Sequence, residues 1–233
     1  MEYRDRHVVV TGGTGALGTA VVTALLDAGA ICHVPYRSAE AHRDWPPRSN
    51  ERVSLAAIGD LADEMAVMRY YEGLEHLWAS IHIAGAFATA PIAQSDKTVL
   101  MTQLETNLTS AYLCSRAGAL TMRRLGVAGR IVNVAARQAL EPRLGAGSVA
   151  YTIAKASVAA LTTALGAELA KEGILVNAVA PSIMDTPSNR TAMPQADFHS
   201  WPTVADVAAT ILFLASPENT VTRGAVVPVY GKA

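Results

Sequence analysis

The chain has 233 residues, 51% hydrophobic and 17% charged, and 19 basic against 20 acidic side chains leave a formal net charge of -1. That balance offers no broad positive field, so nucleic acid and anionic membrane surfaces are not expected partners, and a core rich in Ala, Val, Leu and Ile excludes disorder and collagen-like repeats. No composition shift or internal repeat divides the chain, so one domain over residues 1–233 is expected.

The stretches 7–26 and 77–95 lack Asp, Glu, Lys and Arg, but Gly and Thr punctuate the first, while His82, Pro91 and Gln94 interrupt the second; neither reads as a membrane span. The first residues lack the long apolar core of a signal peptide, which points to the cytoplasm. Cys32 and Cys114 stand alone in apolar surroundings and read as buried thiols; no metal site is expected.

In chain order, short β-branched runs alternate with segments of helical periodicity. Strands are expected at 7–11, 30–36, 53–57, 77–83, 130–134, 174–178 and 225–229, and helices at 16–28, 39–45, 61–70, 98–125 with possible breaks, 151–171 and 204–215. Seven strands separated by crossover helices imply an α/β fold, a doubly wound parallel sheet with helices on both faces. Two irregular stretches stand out: 137–149, rich in Gly and Pro, and 182–202, whose length suits a functional lid.

The first strand runs directly into Thr11-Gly12-Gly13-Thr14-Gly15-Ala16-Leu17-Gly18 and the first helix. Glycines there let backbone approach a pyrophosphate closely, and the helix N-terminus supplies free N–H donors and a favourable dipole. Tyr151 and Lys155, four residues apart at the start of a helical segment, share one helix face. A phenol is a poor acid or base near neutrality, and an adjacent ammonium favours the phenolate.

These motifs resemble the short-chain dehydrogenase/reductase family. Thr11, Gly12, Ala16 and Gly18 match its TGxxx[AG]xG turn, and Tyr151 and Lys155 its YxxxK pair. Gly15 also satisfies the form found in larger members, but the chain length favours the smaller form. The resemblance implies a Rossmann-like fold and a nicotinamide cofactor. It implies Tyr151 as proton donor, Lys155 as its activator and a holder of the nicotinamide ribose, and Asn107 as support for a proton relay. Cofactor contacts are expected from Gly12, Thr14, Gly15, Ala16, Leu17, Gly18, Asp60, Leu61, Ala84, Gly85, Tyr151, Lys155, Pro181, Ile183 and Thr186. Asp60 reads equally as a helix N-cap. Arg37, at the end of the second strand where an acid would select NAD(H), favours NADP(H), with NAD(H) possible. A small-molecule substrate and a homodimer or homotetramer packed through the long helices after strands four and five are implied as well.

Two departures shape the expected chemistry. The family's usual serine is replaced by Ala136, and Ser148, Gln138 and Arg137 are the nearby candidates for its role. His82 stands at the head of the segment after strand four and reads as a packing residue rather than a base. The lid, Asp185 to Trp201, resembles the substrate loop of dihydropteridine reductases in the frame DTPxNRxxMPxADFxxW, and those enzymes also work without the serine. Asn189 and Trp201 are thus expected either to touch substrate or to anchor the lid. The combined reading is a reductase acting on a small planar carbonyl or imine compound. A ketone or 3-ketoacyl reductase with a substitute for the serine, and a weakly active cofactor-binding regulatory protein, are the alternatives.

Overall fold

Seven runs of mostly apolar residues become parallel strands in the computed structural model, which describes residues 1–232. They are β1 (His7–Thr11), β2 (Ile31–Tyr36), β3 (Val53–Ala57), β4 (Ala79–His82), β5 (Arg130–Val134), β6 (Leu175–Pro181) and β7 (Val226–Val229). The order across the sheet is β3-β2-β1-β4-β5-β6-β7, and all six pairings are parallel. This is the doubly wound, Rossmann-like sheet expected from the sequence. Among the described residues eight α-helices connect the strands: α1 (Ala16–Asp27), α2 (Glu64–Glu72), α3 (Lys97–Gln103), α4 (Ser110–Leu125), α5 (Arg137–Leu140), α6 (Val149–Glu168), α7 (Pro187–Ala192) and α8 (Val204–Ala215).

Alternation along the strands divides the core between the two faces. Val8 and Val10 of β1, with Ile81 and Val132, pack against α1 and α8. Val9, Ile131 and Val176 point the other way, toward α2 and α4, and Val158 of α6 closes on Ala135 and Ala180. Both faces are covered, so the central strands are buried on both sides, and the few polar side chains they carry, such as Ser80, His82 and Asn133, are buried with them. Cys32 and Cys114 are buried free thiols. Among the described residues one helix, α6, is long and apolar enough to cross a membrane, and its buried stripe lies on β5 and β6 as that of a core helix.

Several boundaries differ from the sequence expectation for local reasons. The segment 98–125 is divided into α3, a π-helical turn (Leu104–Thr109) and α4. The helix expected at 61–70 begins at Glu64, because Asp63 rather than Asp60 caps it by accepting from Met65 N and Ala66 N at 2.9 and 3.1 Å. Asp60 accepts from Ala62 N at 2.9 Å within the preceding turn. Residues 39–45 form only a 3-10 turn, Ala39–His42. β6 extends to Pro181 because its pairing with β7 continues that far. The helix expected at 151–171 runs Val149–Glu168, and the irregular stretches 137–149 and 182–202 hold the short α5 and α7.

A polar chain crosses the α4 and α6 side of the sheet. Tyr71 Oη lies 2.7 Å from Ser80 Oγ, which lies 2.8 Å from His82 Nε2. His82 Nδ1 is 2.8 Å from Asn133 Oδ1, and Asn133 Nδ2 donates to Thr162 Oγ1 at 3.1 Å. One tautomer satisfies every link: Nδ1–H donates to Asn133, and Nε2 accepts from Ser80. His82 therefore holds the ends of β4 and β5 to α2 and α6, a packing role, and burial holds it neutral by pushing its pKa down to about 4.

His33, half-buried and 2.8 Å from His7, is likewise pushed down to about 4 by its partial removal from water. A base with its folded pKa below the unfolded value contributes full stability above the unfolded value, here 6.5, and loses it as pH falls toward the folded one. The urea midpoint is therefore expected to fall between pH 6.5 and about 4, and His82→Asn, which removes one of the titrating groups, should shrink that loss.

Candidate active site

Because every strand is parallel, the loops after β1, β2, β4, β5 and β6 open on one edge of the sheet. Chain winding reverses between β1 and β4, so the loops after those two strands diverge and leave a crevice, the general ligand position in open α/β sheets. The glycine turn after β1 forms one wall. Gly12 has φ +67°, and a methyl group there would stand 2.7 Å from Ala84 N, so only glycine lets β1 and the β4 loop close together. A methyl on Gly18 would collide with Gly12 O and lie 2.6 Å from Gly13 Cα.

Gly15 differs. It is the N-cap of α1, makes no side-chain cap, and a methyl there would meet nothing nearer than Gly12 O at 3.4 Å. The protein itself leaves this space open in front of the α1 N-terminus. Ala16 is exposed and Thr14 half-buried beside it, while the Leu17 side chain enters the core and leaves its backbone at the turn. An open seat at a helix N-terminus with glycine beneath it fits a pyrophosphate. Arg37 is exposed just past β2, and Asp60 and the half-buried Leu61 follow β3 on the same edge.

Tyr151 and Lys155 stand one turn apart on α6. Lys155 is buried, donates from Nζ to Val134 O at 2.8 Å at the end of β5, and lies 5.9 Å from the centre of the Tyr151 ring. Removal from water pulls the lysine down to about 8 and pushes the Tyr151 phenol up to about 12. The spacing alone points to an ammonium favouring the phenolate; burial acts on the phenol in the opposite direction.

Asn107 sits in the π-helical turn and is buried. Its Oδ1 accepts from Ala86 N at 3.2 Å, and its Nδ2 donates to Ala86 O at 2.9 Å and to Gln103 O at 3.2 Å. A methyl on Gly85 would stand 2.7 Å from Asn107 Oδ1 and 3.3 Å from Lys155 Nζ. Gly85 thus brings Asn107 and Lys155 to the same point, beside Ala84 and the glycine turn. Phe87 follows, its ring 4.9 Å from that of Tyr151 and perpendicular to it.

Ala136 is buried at the N-cap of α5. Of its possible substitutes, Ser148 is buried and donates to Gly145 O at 3.3 Å. Arg137 pairs with Glu141 at 3.2 Å and covers the Tyr230 ring at 4.6 Å. Gln138 is half-buried and makes no side-chain hydrogen bond among the described residues.

In the lid, Pro181 ends β6 and is buried, Ile183 is exposed, and Thr186 caps α7 by accepting from Asn189 N at 3.2 Å. Asn189 Nδ2 donates to Met184 O at 2.8 Å. Arg190 forms a two-pronged pair with Asp185 at 2.6 and 2.7 Å and lies over Phe198, which packs on the buried Trp201 at 5.0 Å. Asn189 and Trp201 are thus engaged in anchoring the lid.

The sequence reading did not single out the Val134 carbonyl, Gln103 or Phe87. A backbone acceptor leaves no side-chain signal, and Phe87 falls between motifs; only its closeness to Gly85 hinted at the site.

The short chain dehydrogenase family pattern matches residues 6–197. The chain is 31% identical to galactitol 2-dehydrogenase of Rhizobium johnstonii, an alignment covering 96% of this chain and 93% of that protein. It is 28% identical to the 3-oxoacyl-acyl-carrier-protein reductase MabA of Mycobacterium tuberculosis, covering 98% and 93%. A solved structure of ElxO with NADP bound superposes with a TM-score of 0.87 at 25% identity, covering 97% of this chain and 98% of that one.

The two kinds of glycine are separable by substitution. Gly15→Asp places a good N-cap residue in open space, so the melting temperature should hold or rise, while the added charge abolishes NADPH binding in a fluorescence titration. Gly18→Ala should instead lower the melting temperature.

Proposed function

This chain belongs to the short chain dehydrogenase family, and from that premise we propose that it reduces a small planar carbonyl or imine compound with NADP(H), Tyr151 serving as proton donor. The observation that carries the reading is the convergence of Gly85, Asn107, Lys155 and Tyr151 beside an open seat at the α1 N-terminus. When bound, the nicotinamide supplies the hydride. The chain's own residues manage everything else.

The phenol, held protonated by burial well above neutral pH, is in the form that gives a proton to the substrate oxygen or nitrogen. Lys155, fixed by Val134 O, supplies a positive charge beneath the ring that eases departure of that proton. Asn107, clamped to both sides of Ala86, keeps the β4 loop and Gly85 at the distance this requires. The first turn of α1 holds the pyrophosphate, with Asp60 and Leu61 toward adenine and Pro181, Ile183 and Thr186 toward the nicotinamide end. Arg37, exposed and without a salt-bridge partner among the described residues, is free to pair with a 2′-phosphate, which supports NADP(H) over NAD(H). The NADP bound to ElxO is in keeping with this.

Absence of the serine at Ala136 favours a substrate that spreads incoming charge over a conjugated system, and the dihydropteridine reductase-like lid agrees. Gln138, half-buried and with no side-chain hydrogen bond among the described residues, is the candidate to replace the missing donor. Ketone or 3-ketoacyl reduction is the second reading, favoured by the resemblance to MabA. We further propose that residues 1–233 form one domain with 182–202 as lid, and that copies pair through α4 and α6, whose Tyr112 and Ile153 are exposed apolar side chains. The two free thiols suit the cytoplasm.

Stopped-flow oxidation of NADPH and NADH by a quinonoid dihydropterin and by a set of ketones tests the reading. Tyr151→Phe should lower turnover by about 10²–10⁴-fold with NADPH affinity nearly unchanged, and Arg37→Asp should reverse a preference for NADPH. Full turnover in Tyr151→Phe would refute the mechanism.

A further inference from the structure

Phe87 is 59% exposed, yet its ring meets the Tyr151 ring edge to face, at 90° and 4.9 Å. An aromatic side chain left that exposed contributes little to the core, so packing alone does not explain it. Its backbone is nonetheless tightly held. On one side, Ala86 exchanges hydrogen bonds with Asn107 through both N–H and C=O, at 3.2 and 2.9 Å. On the other, Ala90 N donates to Gly147 O at 3.0 Å, and Ala90 bridges to Ser148, immediately before α6. Phe87 is thus suspended between the π-helical turn and the start of the helix carrying Tyr151. A rigid aromatic surface stands against the proposed proton donor and faces solvent with its remaining area.

We propose that Phe87 is a specificity-determining wall of the substrate site, selecting compounds that present a flat, unsaturated ring beside the group receiving the proton. The proposal rests on the reading of Tyr151 as proton donor and narrows its substrate class. Ring faces and edges of opposite partial charge attract in offset or perpendicular arrangements. A saturated ring of similar size is puckered and carries no such pattern, so it gains only the apolar contact. The exposed apolar residues Leu140, Leu144 and Ile183 belong to the segments after β5 and β6, which open on the same edge of the sheet as the Phe87 loop.

Binding to the NADP⁺ complex, in which no reduction takes place, separates this proposal from the catalytic reading. Acetophenone and cyclohexyl methyl ketone are titrated by calorimetry into that complex of the wild type, Phe87→Leu and Phe87→Tyr, each checked for folding by its melting temperature. Acetophenone is expected to bind the wild type about fivefold more tightly, a preference that falls to within about twofold in Phe87→Leu and persists in Phe87→Tyr. Equal affinities in the wild type, no acetophenone binding, or a preference surviving in Phe87→Leu would each overturn the proposal. Turnover retained by Tyr151→Phe would overturn the functional reading instead, and the binding preference would stand or fall without it.

Discussion

Lys155 places an ammonium inside the protein, removed from water and hydrogen-bonded to the Val134 carbonyl 2.8 Å away. Burying such a charge is costly, so its surroundings must be built to receive it. The end of β5 must turn a carbonyl toward α6, which requires that α6 dock in one rotation on the sheet. Neighbouring groups must leave the nitrogen room: a methyl on Gly85 would crowd it at 3.3 Å and Asn107 at 2.7 Å. The same requirement reaches the π-helical turn, which carries Asn107 to the β4 loop where a continuous α-helix would rotate it elsewhere. A cation one turn from Tyr151 thus explains a glycine, a helix irregularity and a strand end that otherwise look unrelated.

The cofactor side follows a simpler rule. Gly12 and Gly18 are needed because protein backbone occupies the space a side chain would take, whereas nothing in the protein requires Gly15. An unclaimed space at a helix N-terminus, at the point where the sheet reverses its winding, is where an anionic ligand is stabilised without specialised side chains. Burial also separates the two catalytic candidates electrostatically. It lowers the lysine toward about 8 and raises the tyrosine toward about 12, so the phenol stays protonated at neutral pH.

Much of this was legible in the sequence because the signals were local and periodic. Apolar runs identified all seven strands, and the glycine turn and the Tyr151–Lys155 spacing lay where the fold puts them. What escaped depends on distant contacts. Asp63, three residues further on, caps the helix, while Asp60 closes only the turn before it. His82 read as packing, but its partners Ser80 and Asn133, and Thr162 bonded in turn to Asn133, come from β4, β5 and α6. For Tyr151, spacing reports the nearby charge of Lys155 and not the loss of water, which pushes the phenol up. For Asn189 and Trp201 the sequence left substrate contact and lid anchoring both open, and their contacts are those of anchoring, since an irregular segment must satisfy its own backbone.

The central claim is that burial, rather than the adjacent ammonium, governs the Tyr151 phenol in the cofactor-free protein. Tyrosinate absorbance followed against pH, as the difference between the wild type and Tyr151→Phe, measures this directly. The account predicts no ionisation of Tyr151 below the ordinary phenol range of about 10, with its titration moved toward 12. A Tyr151 signal appearing near neutral pH would contradict it.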